Sequence, residues 1–376
     1  MALKLGNRSI SDIYVGSRKI SKAYMGSRLV YSKNSGVNLD PAYNYFVFDT
    51  SLAQGTTVTL QNYTARDYTY WDGYTDWGDG TRDNKLTHTY STNGEYTVKT
   101  KYTLYYPSEN TYDESTLLML TRCENINKNV TMLRYFFRLC NNLTYVNANI
   151  DTSEVTDMCG MFEDCKSLES LDVSKWNTSN VTLMSNLFHN CKKLTHLDVS
   201  NWKTDNVTEM GGVFYGCNLL EYIDVSNWNT VNVTRTDYMF RGCSLINSLD
   251  LSNWSTSNIT NMGSMFYDCI SLTEIIGVEQ FYVNNVTNMN YMFAYCTGLT
   301  QLNLYYWNTS NVQNVSCMFA GCNNLTYLDI SNFNLNNATQ YTYMFSRCDG
   351  LNSNNVITTN CNSYTLGIIA NQLQNK

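Results

Sequence analysis

With 376 residues, the chain is too long for one ordinary hydrophobic core, and its length predicts two or three domains. A hydrophobic content of 43% with 14% aromatic residues excludes general disorder. The net charge of −7 and the pI near 5.0 argue against nucleic acid and anionic membranes as partners. The first residues lack an apolar signal-peptide core, and no long apolar run follows, so we expect neither a secretory signal nor membrane insertion.

Residues 1–35 repeat a short motif every ten residues, at Leu5–Arg8, Val15–Arg18 and Met25–Arg28. Gly-Asn and Gly-Ser turns between β-branched residues predict a small strip of strands. Such a strip is too short to bury a core by itself, so we expect it to dock on another protein or on another copy of the chain. It resembles strips of bacteriophage tail and fibre proteins, which implies anchoring to other virion structural proteins.

The second predicted domain comprises residues 36–120. Thr75–Thr81 reads T-D-W-G-D-G-T and is followed by His88–Tyr90 (H-T-Y) and Gly94–Val98 (G-E-Y-T-V). The alternation in Thr57–Leu60 also favours a β-sandwich with one buried face. The motif order resembles that of a polycystin-type (PKD) immunoglobulin-like domain. The resemblance implies a spacer, or a module that binds sugars or proteins weakly.

Three groups in this domain were weighed as functional sites. Asp76 and Asp79 could bind calcium, but their positions favour turn chemistry, since an Asp side chain readily bonds the backbone after it. His88 is better explained as a packed, hydrogen-bonded residue than as a catalyst. The remaining group is a set of tyrosines that is a secondary candidate for binding: Tyr68, Tyr70 and Tyr74.

Nine cysteines, spaced 25 to 27 residues apart, organise the third predicted domain, residues 121–376. A Phe lies three residues before each cysteine, a Leu or Ile three after, and usually a Val or Ile ten before and a Trp eleven after. A fixed period in this range indicates stacked structural repeats. The cysteines are Cys140, Cys165, Cys191, Cys217, Cys243, Cys269, Cys296, Cys322 and Cys348.

The spacing within one unit predicts its local structure. Leu168, Leu171 and Val173 have spacings that suit a short strand, whereas Val181–Cys191 has apolar residues at steps of three and four. The latter predicts a short helix or a 3₁₀ turn. Each unit would expose an apolar face on both sides, so stacking of several units is needed for stability.

The unit resembles the BspA-type and mycoplasma-type leucine-rich surface repeats of 26 residues. This resemblance implies a horseshoe or gently twisted solenoid of about nine rungs with a parallel sheet on one face and a C-terminal cap. The expected fold is therefore mainly β with short helices. Members of the family are mostly surface proteins of bacteria and protists that are associated with adhesion.

The cysteine column offers one thiol per repeat, which differs from the close ligand pairs of structural zinc sites. We therefore expect buried thiols that fill a small apolar position, and folding in a reducing compartment. The recurring Asn-x-Thr triplets, such as Asn180–Thr182, are expected to bond turn backbone rather than to carry glycans.

We expect no enzymatic activity and no cofactor. The three histidines, His88, His189 and His196, are not paired with a nucleophile, and the chain has no Gly-rich phosphate loop. A series of carboxylates at the strand ends repeats with the scaffold, so it does not indicate a site. These residues are Asp172, Asp198, Asp224 and Asp250.

One outward column of the predicted strands varies between repeats while the scaffold does not. Tyrosine and short polar groups suit binding to a host surface glycan or protein, although an ordinary solvated sheet face would look the same. The candidate binding residues are Tyr145, His196, Tyr222, Glu274, Gln301 and Tyr327, with Ser170 and Ser248 between them.

These features lead to two functional expectations. The first is a bacteriophage virion protein, made in the host cytoplasm, that is anchored by residues 1–35, spaced by residues 36–120 and bound to the host surface by its repeats. The alternative is a bacterial cell-surface adhesin. Neighbouring genes for capsid or tail proteins would favour the first, and genes for transporters or sortases the second.

Overall fold

The computed structural model describes residues 39–40, 42–60, 74–101, 114–126, 130–147 and 150–376, together with the backbone of six short strands before residue 33. The chain divides into two compact units, Met1–Asp40 and Pro41–Lys376. The fold is mainly β with few helices, as the sequence predicts. In the described part of the chain, no helix is both long and apolar enough to cross a membrane.

Among the residues of the first unit that the structure describes, three antiparallel strand pairs are formed. They are formed by β1 (Lys4–Leu5) with β2 (Arg8–Ser9), β3 (Ile13–Val15) with β4 (Arg18–Ile20), and β5 (Lys22–Met25) with β6 (Arg28–Ser32). These pairs agree with the strands expected for the strip. Its proposed role as an anchor stays a prediction.

The second unit begins with a six-stranded sheet, in the order β10-β9-β12-β7-β13-β14. The first half of this unit also holds the pair β8 and β11 and the short helix α1. The elements are β7 (Asn44–Asp49), β8 (Thr57–Thr59), β9 (Thr75–Asp76), β10 (Arg82–Asp83), β11 (Thr87–Thr89), β12 (Glu95–Thr100), α1 (Glu114–Met119), β13 (Leu120–Asn125) and β14 (Tyr145–Val146), with a 3₁₀ turn at Thr50–Leu52.

This sheet joins the predicted sandwich to the first repeats. Strand β13 pairs antiparallel with β7 on one side and parallel with β14 on the other. The boundary predicted after residue 120 thus lies within β13, and the apolar edge of the first repeat is covered by hydrogen-bonded sheet. Sheet continuity protects this end of the stack from pairing with other chains.

Consecutive repeats pack against one another in parallel. Isolated parallel bridges connect equivalent residues from Met132 without interruption to Gln340. A second column of pairing forms short strands, with parallel pairs β15–β16 and β17–β18–β19. Their bounds are β15 (Ser248–Asp250), β16 (Glu274–Ile276), β17 (Gln301–Asn303), β18 (Tyr327–Asp329) and β19 (Val356–Ile357).

The segment that the sequence predicts as a short helix or a 3₁₀ turn is a series of tight turns. In one repeat, the N–H of Leu187 donates to Met184 in its own turn, whereas the N–H of Asn186 donates to Gly211 of the next repeat, at 2.8 Å. Asn186 and Asn190 have positive φ, which interrupts a helix every fourth residue. Alternate N–H groups are thereby directed at the neighbouring repeat. The bonds within the segment span three residues, as in a 3₁₀ turn, so the second of the two predicted alternatives describes it better than a helix.

The core consists of columns of identical side chains. The Phe rings that precede the cysteines are buried and stack on their neighbours, as with Phe240 and Phe266 at 5.9 Å. The indoles of Trp202, Trp228, Trp254 and Trp307 each donate to a backbone carbonyl of the preceding repeat. The predicted apolar positions of the repeats are therefore interior positions. Helix α2 (Ser363–Gln374), capped by Asn362, follows the last repeat.

Candidate functional site

The strand column proposed from the sequence is largely exposed. Tyr222 is 56% exposed and Tyr327 is 41% exposed, and His196, Glu274 and Gln301 are also exposed. Parallel pairing places His196 beside Ser170 and Tyr327 beside Gln301. The predicted outward orientation is therefore correct. Whether this column binds a partner stays a prediction.

The structure does not bring the tyrosines of this column together. Tyr222 and Tyr327 are four repeats apart, which corresponds to roughly 20 Å at the usual strand spacing. Tyr145 is half-buried, because it pairs with Arg122 of β13 at the start of the stack, and burial raises the pKa of its phenol. The column therefore offers separated aromatic side chains rather than a concentrated patch.

A concentrated patch lies instead on the series of tight turns. It is formed mainly by residues two or five positions before the repeat cysteines, from five consecutive repeats. We call it the aromatic turn patch. Its members are His189, Tyr215, Tyr238, Arg241, Tyr267, Tyr291 and Tyr295, the last lying one position before its cysteine.

Arg241 lies at the centre of the aromatic turn patch. Its guanidinium carbon is 4.3 Å from the ring centre of Tyr267, 5.1 Å from that of Tyr215 and 5.6 Å from that of Tyr238. These distances allow cation–π attraction to three rings at once. The guanidinium is thus held in place by rings, while it keeps donors for a partner.

Aromatic contacts extend the patch on both sides of Arg241. The imidazole of His189 stacks on Tyr215 with ring centres 4.3 Å apart. On the other side, Tyr267 meets Tyr291 and Tyr295 edge to face, at 5.9 and 5.5 Å. Tyr238 and Tyr291 are exposed, and the other members are partly buried. Four repeats beyond Arg241 on this face, Tyr343 is also exposed.

Charged groups border the patch near His189. Burial lowers the pKa of His189 and raises that of Glu163, whose carboxylate is 3.2 Å from Arg138 and 3.9 Å from the imidazole. The Nδ1 atom of His189 is buried without a hydrogen-bond partner among the described residues. A neutral imidazole is therefore favoured at this position, where it adds to the aromatic surface.

The local sequence explains why side chains gather on these turns. Residues five positions before the cysteines have φ between 56° and 65°, whether they are glycine, asparagine or tyrosine. Gly212, with a φ of 65°, is one of them, and a Cβ at this position would meet Oδ1 of Asn186. Interrepeat hydrogen bonds support this otherwise unfavourable backbone.

Sequence reasoning missed this patch because its residue types change from repeat to repeat. A signal was nevertheless available. Tyrosine recurs at one fixed offset, five residues before the cysteines, and Gly, Asn and Asp, the residues that tolerate positive φ, recur one residue before them. The tyrosines at the first offset are Tyr135, Tyr238, Tyr291 and Tyr343.

The motif residues of the first half of the unit are occupied by local bonds. Asp76 accepts from the N–H of Gly78, and Asp79 accepts from the N–H of Thr81 and lies 2.7 Å from Nε2 of His88. Although burial alone would raise it, these hydrogen bonds hold the pKa of Asp79 below its ordinary value. His88 stacks on buried Trp77, at 5.1 Å. These contacts fit the turn and packing roles expected from the sequence.

Of the three tyrosines that form the secondary candidate site, the structure describes Tyr74. Tyr74 is exposed and lies 5.5 Å from the guanidinium carbon of Arg82, whereas Tyr68 and Tyr70 lie outside the described residues.

The repeat cysteines are buried free thiols, as predicted. Each thiol from Cys165 to Cys348 donates to the backbone carbonyl of the Phe in the preceding repeat, for example Cys217 to Phe188 at 3.2 Å. Within the described ranges, no group of three His, Cys, Asp or Glu residues is arranged to hold a metal ion.

Comparison with known families decides the classification of the repeats. A family described as "Mycoplasma protein of unknown function, DUF285" matches residues 121–197, 184–278 and 273–364. The chain belongs to this family. The match supports the mycoplasma-type repeat expected from the sequence and covers more than half of the chain. None of the curated protein sequences matches the chain significantly.

Solved structures of repeat proteins also show similarity. A leucine-rich repeat protein from Bacteroides ovatus is 16% identical and covers 70% of this chain and 83% of its own, with a TM-score of 0.23. A leucine-rich cell surface protein from Faecalibacterium prausnitzii is 16% identical over 67% and 82%, with a TM-score of 0.29. The functional domain of InlJ from Listeria monocytogenes is 12% identical over 65% and 71%, with a TM-score of 0.18.

Proposed function

We propose that this protein is a non-enzymatic, adhesin-like surface protein whose repeats form a leucine-rich solenoid that binds a partner through the aromatic turn patch. The observation that carries the proposal is the gathering of a histidine, an arginine and five tyrosines from consecutive repeats on one face. Tyrosine and arginine are the residues that most often dominate binding energy at protein interfaces.

The scaffold suits this role because it holds the patch rigidly. Backbone bonds to the next repeat fix the turns on both sides of Tyr215, and the same pattern fixes Arg241 and Tyr267. Little side-chain and loop entropy would then be lost on binding, which favours affinity. A mixed aromatic and cationic surface on a rigid frame fits a protein or glycoprotein partner better than a lone small molecule.

The family match favours the cell surface over the virion as the location. The chain belongs to a family described from mycoplasmas, which are cellular organisms. No comparison supports a phage particle. We therefore propose the adhesin alternative ahead of the virion protein that the N-terminal strip suggested. Attachment through residues 1–35 remains a second proposal that a truncated chain would test.

The strand column is the second candidate for the binding surface. The exposure of Tyr222, with 56% of its surface open, favours it, because a large exposed ring can stack on a partner at low entropic cost. The two candidates lie in different parts of the repeat, since the strand residues follow the cysteines and the patch residues precede them. Each surface can therefore be altered while the other is left intact.

The test compares three forms of the full chain for binding to a panel of bacterial and animal cells. One variant carries Tyr238→Ala with Arg241→Ala in the aromatic turn patch, and the other carries Tyr222→Ala with Tyr327→Ala in the strand column. We expect the patch variant to lose at least tenfold in affinity, and the strand variant to bind as the wild type does.

Each variant serves as the control for the other, because both remove two partly exposed aromatic or cationic side chains. Melting temperatures would first establish that both variants fold. Loss of binding in the strand variant alone would transfer the site to the strand column. Failure of the wild type to bind any cell or surface protein would overturn the adhesin proposal.

A further inference from the structure

The Trp column changes at the C-terminal end of the stack. The indole nitrogens of Trp202, Trp228 and Trp254 each donate to the backbone carbonyl three residues before the aromatic residue of the preceding repeat, at 3.0–3.2 Å. Further along, Phe333 takes the place of Trp and has no ring donor. The stack then ends at Cys361, whose thiol donates to the carbonyl of Ile330.

Cys361 therefore occupies the terminal position of the Trp column. Its acceptor, Ile330, lies three residues before Phe333, as Val199 lies three residues before Trp202. Side-chain volume in this column falls from indole to phenyl to thiol over the last repeats.

An open cavity of about 420 Å³ lies at the surface beside Phe333. Its size falls within the range that holds small molecules. Phe333 forms its floor, and one tyrosine and five asparagines form its walls. The wall residues are Tyr306, Asn308, Asn332, Asn334, Asn360 and Asn362.

The walls are held in position by bonds between their amides. Nδ2 of Asn360 donates to Oδ1 of Asn332 at 2.8 Å, and Nδ2 of Asn362 approaches Oδ1 of Asn334 at 3.3 Å. In the described part of the chain these bonds leave the second N–H and the carbonyl oxygen of Asn360 without a partner. A carboxamide can make four hydrogen bonds, so donors and acceptors remain for a ligand.

Tyr306 adds an aromatic surface at the edge of the cavity. It is 68% exposed, and Tyr305 supports it edge to face at 5.0 Å. An open ring face beside neutral amide donors and acceptors matches a sugar ring, which has apolar C–H faces and hydroxyl groups around its edge. The absence of charged side chains among the lining residues disfavours an ionic ligand.

We infer that this cavity binds one ring of a neutral saccharide, with the ring against Tyr306 and its hydroxyl groups bonded by the asparagines. The site is separate from the aromatic turn patch and does not depend on the proposed adhesin function. It would allow the C-terminal end of the stack to recognise a glycan independently.

The decisive variant restores the column. Phe333→Trp places an indole at the buried residue that lines the cavity, with the carbonyl of Leu304 as the acceptor equivalent to those in other repeats, and we expect the larger ring to narrow the cavity. Phe281→Trp is the matched control, because Phe281 is a buried residue of the same column that does not line the cavity. Tyr306→Ala removes the stacking surface without changing the floor.

Binding would be measured by saturation-transfer NMR and calorimetry with glucose, galactose, mannose and N-acetylglucosamine, and with glucuronate as an anionic comparison. We expect the wild type and Phe281→Trp to bind at least one neutral sugar in preference to glucuronate. Phe333→Trp and Tyr306→Ala should each lose at least tenfold in affinity. Retention of wild-type affinity in Tyr306→Ala and in folded Phe333→Trp, or failure of the wild type to bind any neutral sugar, would overturn the inference.

Discussion

At the scale of single residues, the Phe column shows how one side chain can control stability. Phe240 is fully buried and stacks between Phe214 and Phe266, with ring centres 5.7 and 5.9 Å away. Replacement by Ala would remove both contacts and leave a cavity, because the neighbouring rings are held by their own repeats. Collapse around the gap would therefore be small.

We predict that Phe240→Ala destabilises the protein by about 3–5 kcal/mol, as measured by urea unfolding. Tyr222→Ala is a suitable control, because it removes an aromatic ring from an exposed position and should change stability by roughly 0.5 kcal/mol or less. A loss below about 1 kcal/mol for Phe240→Ala would show that the Phe column is not the interior of the stack.

Residues with a single structural reason were predictable from the sequence. Phe, Cys and Leu at fixed offsets could only be interior positions, and the structure places them there. Tyr238 and Arg241 were not predictable in the same way, because their contacts depend on the exact path of the turns. A tyrosine with φ of 61° is uncommon, and only the hydrogen bonds to adjacent repeats make it tolerable at that position.

At the scale of elements, strands and turns differ in how well the sequence predicts them. The spacing of apolar residues indicated short strands, which the later repeats form from Ser248 onwards, whereas the strand predicted at Leu168–Val173 is reduced to an isolated bridge at Ser170. Steps of three and four indicated a short helix or a 3₁₀ turn between Val181 and Cys191, and the structure has a series of tight turns. The same spacing of buried residues arises in both, since each turn also returns a side chain to the core. Only Asn186 and Asn190, which have positive φ in the structure, distinguish the turns from a helix in this segment.

The asparagine that begins each Asn-x-Thr triplet links neighbouring repeats. Nδ2 of Asn206 donates to the carbonyl of Ser179 at 2.8 Å, and equivalent bonds recur along the stack, for example from Asn180 to Ser153. These bonds explain the repetition of the triplet, as the sequence suggested. Their acceptors, however, belong to the preceding repeat rather than to the local turn.

We predict that Asn206→Ala lowers the free energy of unfolding by about 0.5–1.5 kcal/mol, because one hydrogen bond between repeats is lost. Asn206→Asp should be at least as destabilising, since a carboxylate would face the carbonyl without a donor. Asn227→Ala is the matched control, because Asn227 is exposed and its side chain makes no hydrogen bond to other described residues. Equal losses of stability for Asn206→Ala and Asn227→Ala in urea unfolding would contradict a stabilising role for these hydrogen bonds between repeats.

At the scale of the whole molecule, the repeats act as one interior. The aromatic and thiol columns run through the stack, and β13 connects it to the sheet of the preceding half. The period of the sequence predicted the stacking, because each repeat has an apolar face that only a neighbour can cover. It could not predict the cavity beside Phe333, because the lining residues come from different repeats and from the turn that precedes α2.

The thiol column makes the stability of the whole stack dependent on alkaline pH. Burial raises the pKa of Cys217 to about 12 and that of Cys348 to about 11, from an ordinary value of 9.0, and the other column thiols shift in the same direction. A raised pKa in the folded state means that stability is fully present below about pH 9. It is lost as the pH rises towards the folded values, because the unfolded chain releases its thiol protons first.

We therefore predict that urea unfolding midpoints are constant up to about pH 9 and then fall, with each buried thiol contributing about 1.4 kcal/mol per pH unit. Ionisation would also remove the S–H donor that bonds the Phe carbonyl of the preceding repeat, as between Cys217 and Phe188. Burial also raises the pKa of other groups, such as the phenol of Tyr90, and their ionisation would lower stability over the same pH range. The decisive comparison is therefore between the wild type and Cys217→Ala. This variant should be less stable than the wild type at pH 8, but its stability should decline less steeply above pH 9. At pH 8 the column thiols should also resist a thiol reagent until urea is added. Identical slopes for both proteins, or rapid reaction of all thiols in the folded state, would mean that the cysteines are not closed inside the stack.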